Sequence, residues 1–216
     1  MTADSLRLFD EKIRQEKGVL YIAGFDEAGR GPLAGPVSCA GVLLPPDYDN
    51  PLINDSKKLT DHQRRMLFEE IKEKAIAYHV ELVPVETIDK INNILEADRL
   101  GMEIALNQIQ KKNRVDFLIT DYMKLHTKIE TLSIPKGDAT SLSVAAASIL
   151  AKVTRDDYMI EMDKKYPQYD FKHNKGYGTK KHLEALERYG YVPGVHRLSF
   201  EPVREVALGI KQLSLF

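Results

Sequence analysis

The apolar residues of this chain change their spacing along its length, and that change most constrains the fold. Val19 to Phe25 and Val37 to Leu44 are short apolar runs, the second nearly continuous and stopped by Pro45-Pro46. Ala77 to Val83 and Val115 to Thr120 extend the strand-like pattern, and Lys128 to Ile134 is a fifth candidate. From Ser141 the spacing turns helical, through Leu142, Ala145, Ala146, Ile149, Leu150 and Val153. Met1 to Lys17, Asp61 to Ala75 and Asn93 to Lys112 read as earlier helices, the second opened by a capping box of Thr60 with Gln63. A Gly-rich turn near Tyr177, a helix from Thr179 to Tyr189 and a last short helix complete the chain. Strands first and helices later predict one α/β domain with a mixed central sheet flanked by helices and a helical C-terminal extension. The expected segments are an N-terminal helical stretch (1–18), a main domain (19–200) and a C-terminal helix and tail (201–216).

Composition narrows the class. At 216 residues the chain can bury roughly 70% of its unfolded surface, so a core needs neither disulfides nor a structural metal. The single cysteine, Cys39, excludes a disulfide framework and a cysteine-rich zinc site. No apolar run approaches the ~20 residues of a membrane span, and the polar start is no signal peptide. A reducing, cytoplasmic setting without membrane contact is expected. Lys plus Arg number 31 against 32 Asp plus Glu, so binding a polyanion would need locally gathered positive charge. The absence of a Gly-x-x-x-x-Gly-Lys loop leaves a nucleotide switch or kinase without support.

Four carboxylates stand out by position. Asp26 and Glu27 follow the first predicted strand, Asp121 follows the fourth, and Asp138 precedes the long helix. Singly, each could be a turn or cap residue. Brought into one cleft they repel, and a pair of hard divalent cations would resolve that cost and serve phosphodiester hydrolysis. Successive strand residues face opposite ways, so for Asp26 and Glu27 to share a site the strand must end or bend there. Gly29 and Gly31 permit such a bend and close backbone approach to a ligand, while Arg30 offers a fork for a phosphate. Lys172, His173, Lys175, Lys180, Lys181 and His182 crowd around Tyr177, and Lys57, Lys58, Arg64 and Arg65 form a second basic group. Such groups suit sequence-independent phosphate contact, although Arg64-Arg65 reads better as a solvated helix face.

The run from Gly24 to Val37, Gly-Phe-Asp-Glu-Ala-Gly-Arg-Gly-Pro-Leu-Ala-Gly-Pro-Val, resembles the signature of bacterial ribonuclease HII, the type 2 ribonuclease H. Asp55-Ser56-Lys57, Lys136-Gly137-Asp138, the stretch Ala145 to Asp156, Tyr166-Pro167, Lys175 to Thr179 and His196 to Phe200 match further blocks in order. The resemblance implies a ribonuclease H-like fold and hydrolysis of the RNA strand of RNA–DNA hybrids. It also implies nicking on the 5′ side of single ribonucleotides in duplex DNA. It makes Asp26, Glu27, Asp121 and Asp138 the catalytic, metal-binding acids for two Mg²⁺ or Mn²⁺ ions, with 5′-phosphate and 3′-hydroxyl products. It gives Gly29, Arg30 and Gly31 the sensing of the ribose 2′-hydroxyl, Tyr177 the nucleotide beside it, and Lys57 a phosphate. Ribonuclease HIII is the nearest rival, but this chain is too short for that enzyme's extra N-terminal domain. A non-catalytic nucleic-acid binder is disfavoured because four acids near a polyanion impede binding without metal. The enzyme is expected to act as a monomer in ribonucleotide removal and DNA repair.

The ending Gln212-Leu213-Ser214-Leu215-Phe216 resembles the short peptide by which bacterial replication and repair proteins dock on the DNA sliding clamp. The alternative is that Leu213, Leu215 and Phe216 fold back on the protein's own surface.

Overall fold

The computed structural model describes residues 3–53 and 59–210. Within them five strands form one mixed sheet: β1 (Ile22–Ala28), β2 (Val37–Leu43), β3 (Ala77–Val83), β4 (Phe117–Asp121) and β5 (Thr131–Ile134), in the order β3-β2-β1-β4-β5. β1 and β3 pair antiparallel with β2, whereas β4 runs parallel to β1 and β5 parallel to β4. The central strands are apolar on both faces because helices cover both.

The alternation along β2 divides the core. Ala40 and Val42 face α1 (Ala3–Lys17), α2 (Asp61–Lys74) and α5 (Leu142–Lys165), meeting Leu6, Leu67, Ile71, Ala146 and Leu150. Val37, Cys39 and Leu43 face α3 (Val85–Ile91) and α4 (Ile94–Gln110), meeting Ile88, Met102, Ala105 and Ile109. The first half of α5 is buried all round, and its alanines let it lie close against the sheet. Ser141 caps it, and the Asp10 carboxylate of α1 accepts from the Ser143 amide (2.9 Å) and hydroxyl (2.7 Å) in its first turn. That bond satisfies an otherwise orphaned helix amide with a negative charge at the positive end of the helix.

The C-terminal extension comprises α6 (Phe171–Asn174), α7 (Lys180–Tyr189) and α8 (Val203–Ala207). It packs on the far half of α5 through Met159, Met162, Tyr169, Phe171 and Ala185, and on the segment after β1 through Leu33 and Ala34. The mixed sheet with flanking helices and helical extension agrees with the expectation. The helix from Thr60, with its capping box, and the strand Ala77–Val83 lie where the sequence put them.

Candidate active site

The first strand departs from expectation in a way that shapes the site. Asp26 and Glu27 do not follow β1; they lie inside it, paired with Ala40 and Cys39 of β2. Their side chains leave opposite faces of the sheet, Asp26 toward Ser148 of α5 and Glu27 toward Asp98 of α4. No bend is needed for both to serve one place, because β4 stops pairing with β1 at Phe25–Thr120 while β2 continues to Ala28. From Asp26 onward the β4 side of β1 is a free edge. A cavity of about 330 Å³ opens there, lined by Asp26, Glu27, Asp121, the Gly29–Gly31 segment and Tyr177, with Ser148, Lys152 and Arg155 from α5.

Asp121 is the last residue of β4, and its Oδ1 accepts from the Gly137 amide at 2.9 Å. Asp138 follows on a buried 3-10 turn, Gly137–Ala139. Its neighbour Gly137 packs against Asp121, but Asp138 is not among the residues lining the cavity. Burial raises the Asp26 carboxyl well above its usual range, reinforced by Glu27 and Asp121 and opposed by the Ser148 hydrogen bond. Burial likewise raises Glu27, with Asp98 adding to it and Arg30 opposing. These shifts have the physical form of like charges crowded out of water.

Arg30 does not reach out as a free fork. Its Nη2 lies 2.6 Å from Glu27 Oε1 and its Nε 3.8 Å from Asp98 Oδ2. Glu27 Oε2 is buried without a hydrogen bond. Gly29 has φ +100°, and a Cβ there would strike the Arg155 guanidinium at 1.9 Å. A Cβ on Gly31 would meet only Tyr177 Cε1, at 3.7 Å, so packing does not demand that glycine. Two buried arginines fix the segment's carbonyls. Arg197 donates to Gly29 O (2.7 Å), Arg30 O (3.0 Å) and Gly35 O (2.9 Å). Arg155 donates to Ala34 O (3.0 Å), Pro36 O (3.0 Å) and Lys175 O (2.9 Å), joining this segment to the Tyr177 loop.

Of the basic residues, Lys172, His173, Lys180 and Lys181 are exposed beside Tyr177, but His182 is fully buried and is no phosphate contact. Arg65 pairs with Asp61 and Asp157 on the helix surface, as expected, but Arg64 is buried rather than solvated, its guanidinium donating to Leu59 O at 2.9 Å and lying 3.5 Å from Asp61. Lys57 and Lys58, and the tail residues Gln212, Leu213, Leu215 and Phe216, lie outside the described residues. Sequence reasoning missed Asp98, Ser148, Lys152 and Arg155. The signal for Asp98 was its place on the apolar stripe of α4, with Gly101, Met102 and Ala105, where an uncompensated acid is costly.

An acid-lined cavity at the free edge of a mixed sheet, rimmed by glycines and flanked by cations, defines a phosphodiester hydrolase of the ribonuclease H type. The family described as Ribonuclease HII matches residues 23–203. Ribonuclease HII of Listeria monocytogenes is 51% identical over 199 residues, which is 92% of this chain and 75% of that protein. The ribonuclease H2 structure from Pyrococcus horikoshii superposes with a TM-score of 0.75 at 27% identity, covering 88% of this chain and 99% of that one. The PCNA:RNase HII complex from Archaeoglobus fulgidus gives 0.72 at 25% identity, over 84% and 96%. The chain belongs to the ribonuclease HII family and is a ribonuclease H.

Proposed function

We propose that this ribonuclease H cleaves the RNA strand of RNA–DNA hybrids and nicks duplex DNA 5′ of single embedded ribonucleotides, leaving 5′-phosphate and 3′-hydroxyl ends. The observation that carries this reading is the gathering of Asp26, Glu27 and Asp121 in one cavity with Gly31 and Tyr177.

The donor set fits hard divalent cations such as Mg²⁺ or Mn²⁺. It is all oxygen, mutually repelling, and includes the orphaned Glu27 Oε2. Among the described residues no three such side chains stand close enough to grip one ion as they are. Holding a cation therefore calls for the carboxylates to close in. Asp26, Glu27 and Asp121 would hold the ions from the cavity, and Asp138 from the turn beside Asp121. Bound there, a cation pair supplies an activated water and stabilises the leaving 3′ oxygen. The chain's own contributions are separate. Ser148 orients Asp26, and the Gly137 amide orients Asp121. Arg30 neutralises Glu27 until a cation takes its place. Gly29, Arg30 and Gly31 present backbone groups to the ribose 2′-hydroxyl, the feature that separates RNA from DNA. Tyr177 packs on the neighbouring nucleotide. Lys57 and the exposed lysines near Tyr177 take phosphates.

The Archaeoglobus relative was solved with PCNA. By analogy, the Gln212–Phe216 peptide docks this enzyme on a DNA sliding clamp.

The test is a labelled DNA duplex containing one ribonucleotide, incubated with Mg²⁺, Mn²⁺ or EDTA. Cleavage on the 5′ side with either metal and none in EDTA is expected. Asp26→Asn is expected to fold and not to cut. Near-normal turnover of that variant in excess Mg²⁺ would remove the two-cation account.

A further inference from the structure

Behind Tyr177 lie two histidines that the chemistry above does not use. His182 of α7 and His196, in the loop before α8, are fully enclosed. Tyr169 and Phe171 wall them in, with ring centroids 4.8 to 6.1 Å from theirs. Their four ring nitrogens are all accounted for. The Val192 amide can only donate, so His196 Nδ1, at 2.9 Å, accepts from it. The Tyr177 carbonyl can only accept, so His182 Nδ1, at 2.9 Å, carries the hydrogen between them. The two Nε2 atoms face each other at 3.1 Å. Neutral His182, protonated on Nδ1, offers a lone pair at Nε2; neutral His196, accepting on Nδ1, carries its hydrogen on Nε2. One hydrogen therefore fills each link from Val192 through His196 and His182 to Tyr177. Burial lowers the pKa of both rings, and the neighbouring His182 lowers His196 further, so the neutral pair persists.

The relay ends on a loop whose other bonds lie on the N-terminal side of the Tyr177 carbonyl: the Tyr177 amide donates to Asn174 O at 2.9 Å and the Gly176 amide to Asn174 Oδ1 at 2.7 Å. Gly176 and Gly178 flank Tyr177, whose carbonyl is held by His182 and by the Thr179 amide at 2.8 Å. At its other end, His196 forms a β-bridge with Ala34, the Arg197 amide donates to Leu33 O at 2.9 Å, and the Leu33 amide donates to Gly176 O at 2.9 Å. The pair thus joins the loop bearing Tyr177 to the segment bearing Gly31.

We infer that His182 and His196 are positioning residues that hold Tyr177 at its place over Gly31 and so set discrimination for a ribose–deoxyribose junction. The junction part rests on the proposed role of Tyr177. The chain contains no tryptophan, so Tyr177→Trp places a single indole fluorophore at the site. In that background, His182→Asn keeps a donor near the Nδ1 position, whereas His182→Gln moves the amide to the Nε2 position and leaves the carbonyl to the Thr179 amide alone. His182→Gln is expected to raise acrylamide quenching of the indole, and His182→Asn to leave it near the parent value. With Tyr177 intact, His182→Gln is expected to raise KM for the single-ribonucleotide duplex about tenfold at nearly constant kcat, the scale of one lost hydrogen bond. Cleavage of a uniform RNA–DNA hybrid is expected to stay unchanged. Equal quenching in both variants at matched melting temperatures would overturn the positioning role. Parallel losses on the two substrates would overturn the junction role. If the parent enzyme does not cut the single-ribonucleotide duplex, the reading of Tyr177 fails by that result, while quenching still decides whether the histidines hold the side chain at that position.

Discussion

Two glycines with one residue between them do different jobs. Gly29 is required by the protein itself, since its backbone is left-handed and its missing side chain makes room for Arg155. Gly31 is not required by packing, so its bareness is available to a ligand. Gly29→Ala is expected to cost more than about 2 kcal/mol of stability, read by denaturant unfolding, because strain and collision add. Gly31→Ala should unfold within about 0.5 kcal/mol of the parent yet lose at least about tenfold in kcat/KM on ribonucleotide-containing duplex, some 1.4 kcal/mol of transition-state binding. Equal stability losses would deny the distinction. Sequence reasoning marked both glycines but could not separate them, because the separating fact is a distant arginine. It took Arg30 as a fork for a phosphate for the same reason, as nothing local reveals that Glu27 and Asp98 engage it.

Elements were legible where local chemistry agreed with burial. Thr60 and Gln63 fixed the start of α2, and Ala77–Val83 alternated as a strand should. The start of β1 was not legible. Leu20 and Tyr21 look like strand residues, but their amides go to the Asp116 carboxylate, and the ladder begins only at Ile22. The strand then runs through two acids that β propensity disfavours, because β2 supplies partners as far as Ser38. Helix α3 was missed because it is short, lacks a side-chain cap and is ended by left-handed Asn92. The same scale explains how α1 is held. Asp10→Ala removes the acceptor for the Ser143 amide and hydroxyl, and is expected to cost about 2 kcal/mol, lowering the melting temperature by about 4–8 °C. An unchanged melting temperature would mean that α1 docks through its other contacts, the buried Leu6 and Ile13 foremost.

At the scale of the molecule, near-neutral net charge concealed an uneven distribution: acids inside the cavity, lysines outside around Tyr177. Two half-buried edge strands, β3 and β5, bound the sheet, and the extension packs on α5 rather than extending the sheet. Attachment to a clamp would act on the whole particle by raising its local concentration on DNA. Removing residues 212–216 is expected to abolish clamp binding in a pull-down or calorimetric titration while leaving free-solution cleavage intact; equal affinity of both forms would end that idea. The early parting of β4 from β1 has one more consequence. It sets the proposed reaction centre along an unpaired strand edge. A long double helix could then settle into it sideways at any point, with no free terminus to thread, and an interior lesion would be as reachable as one at an end.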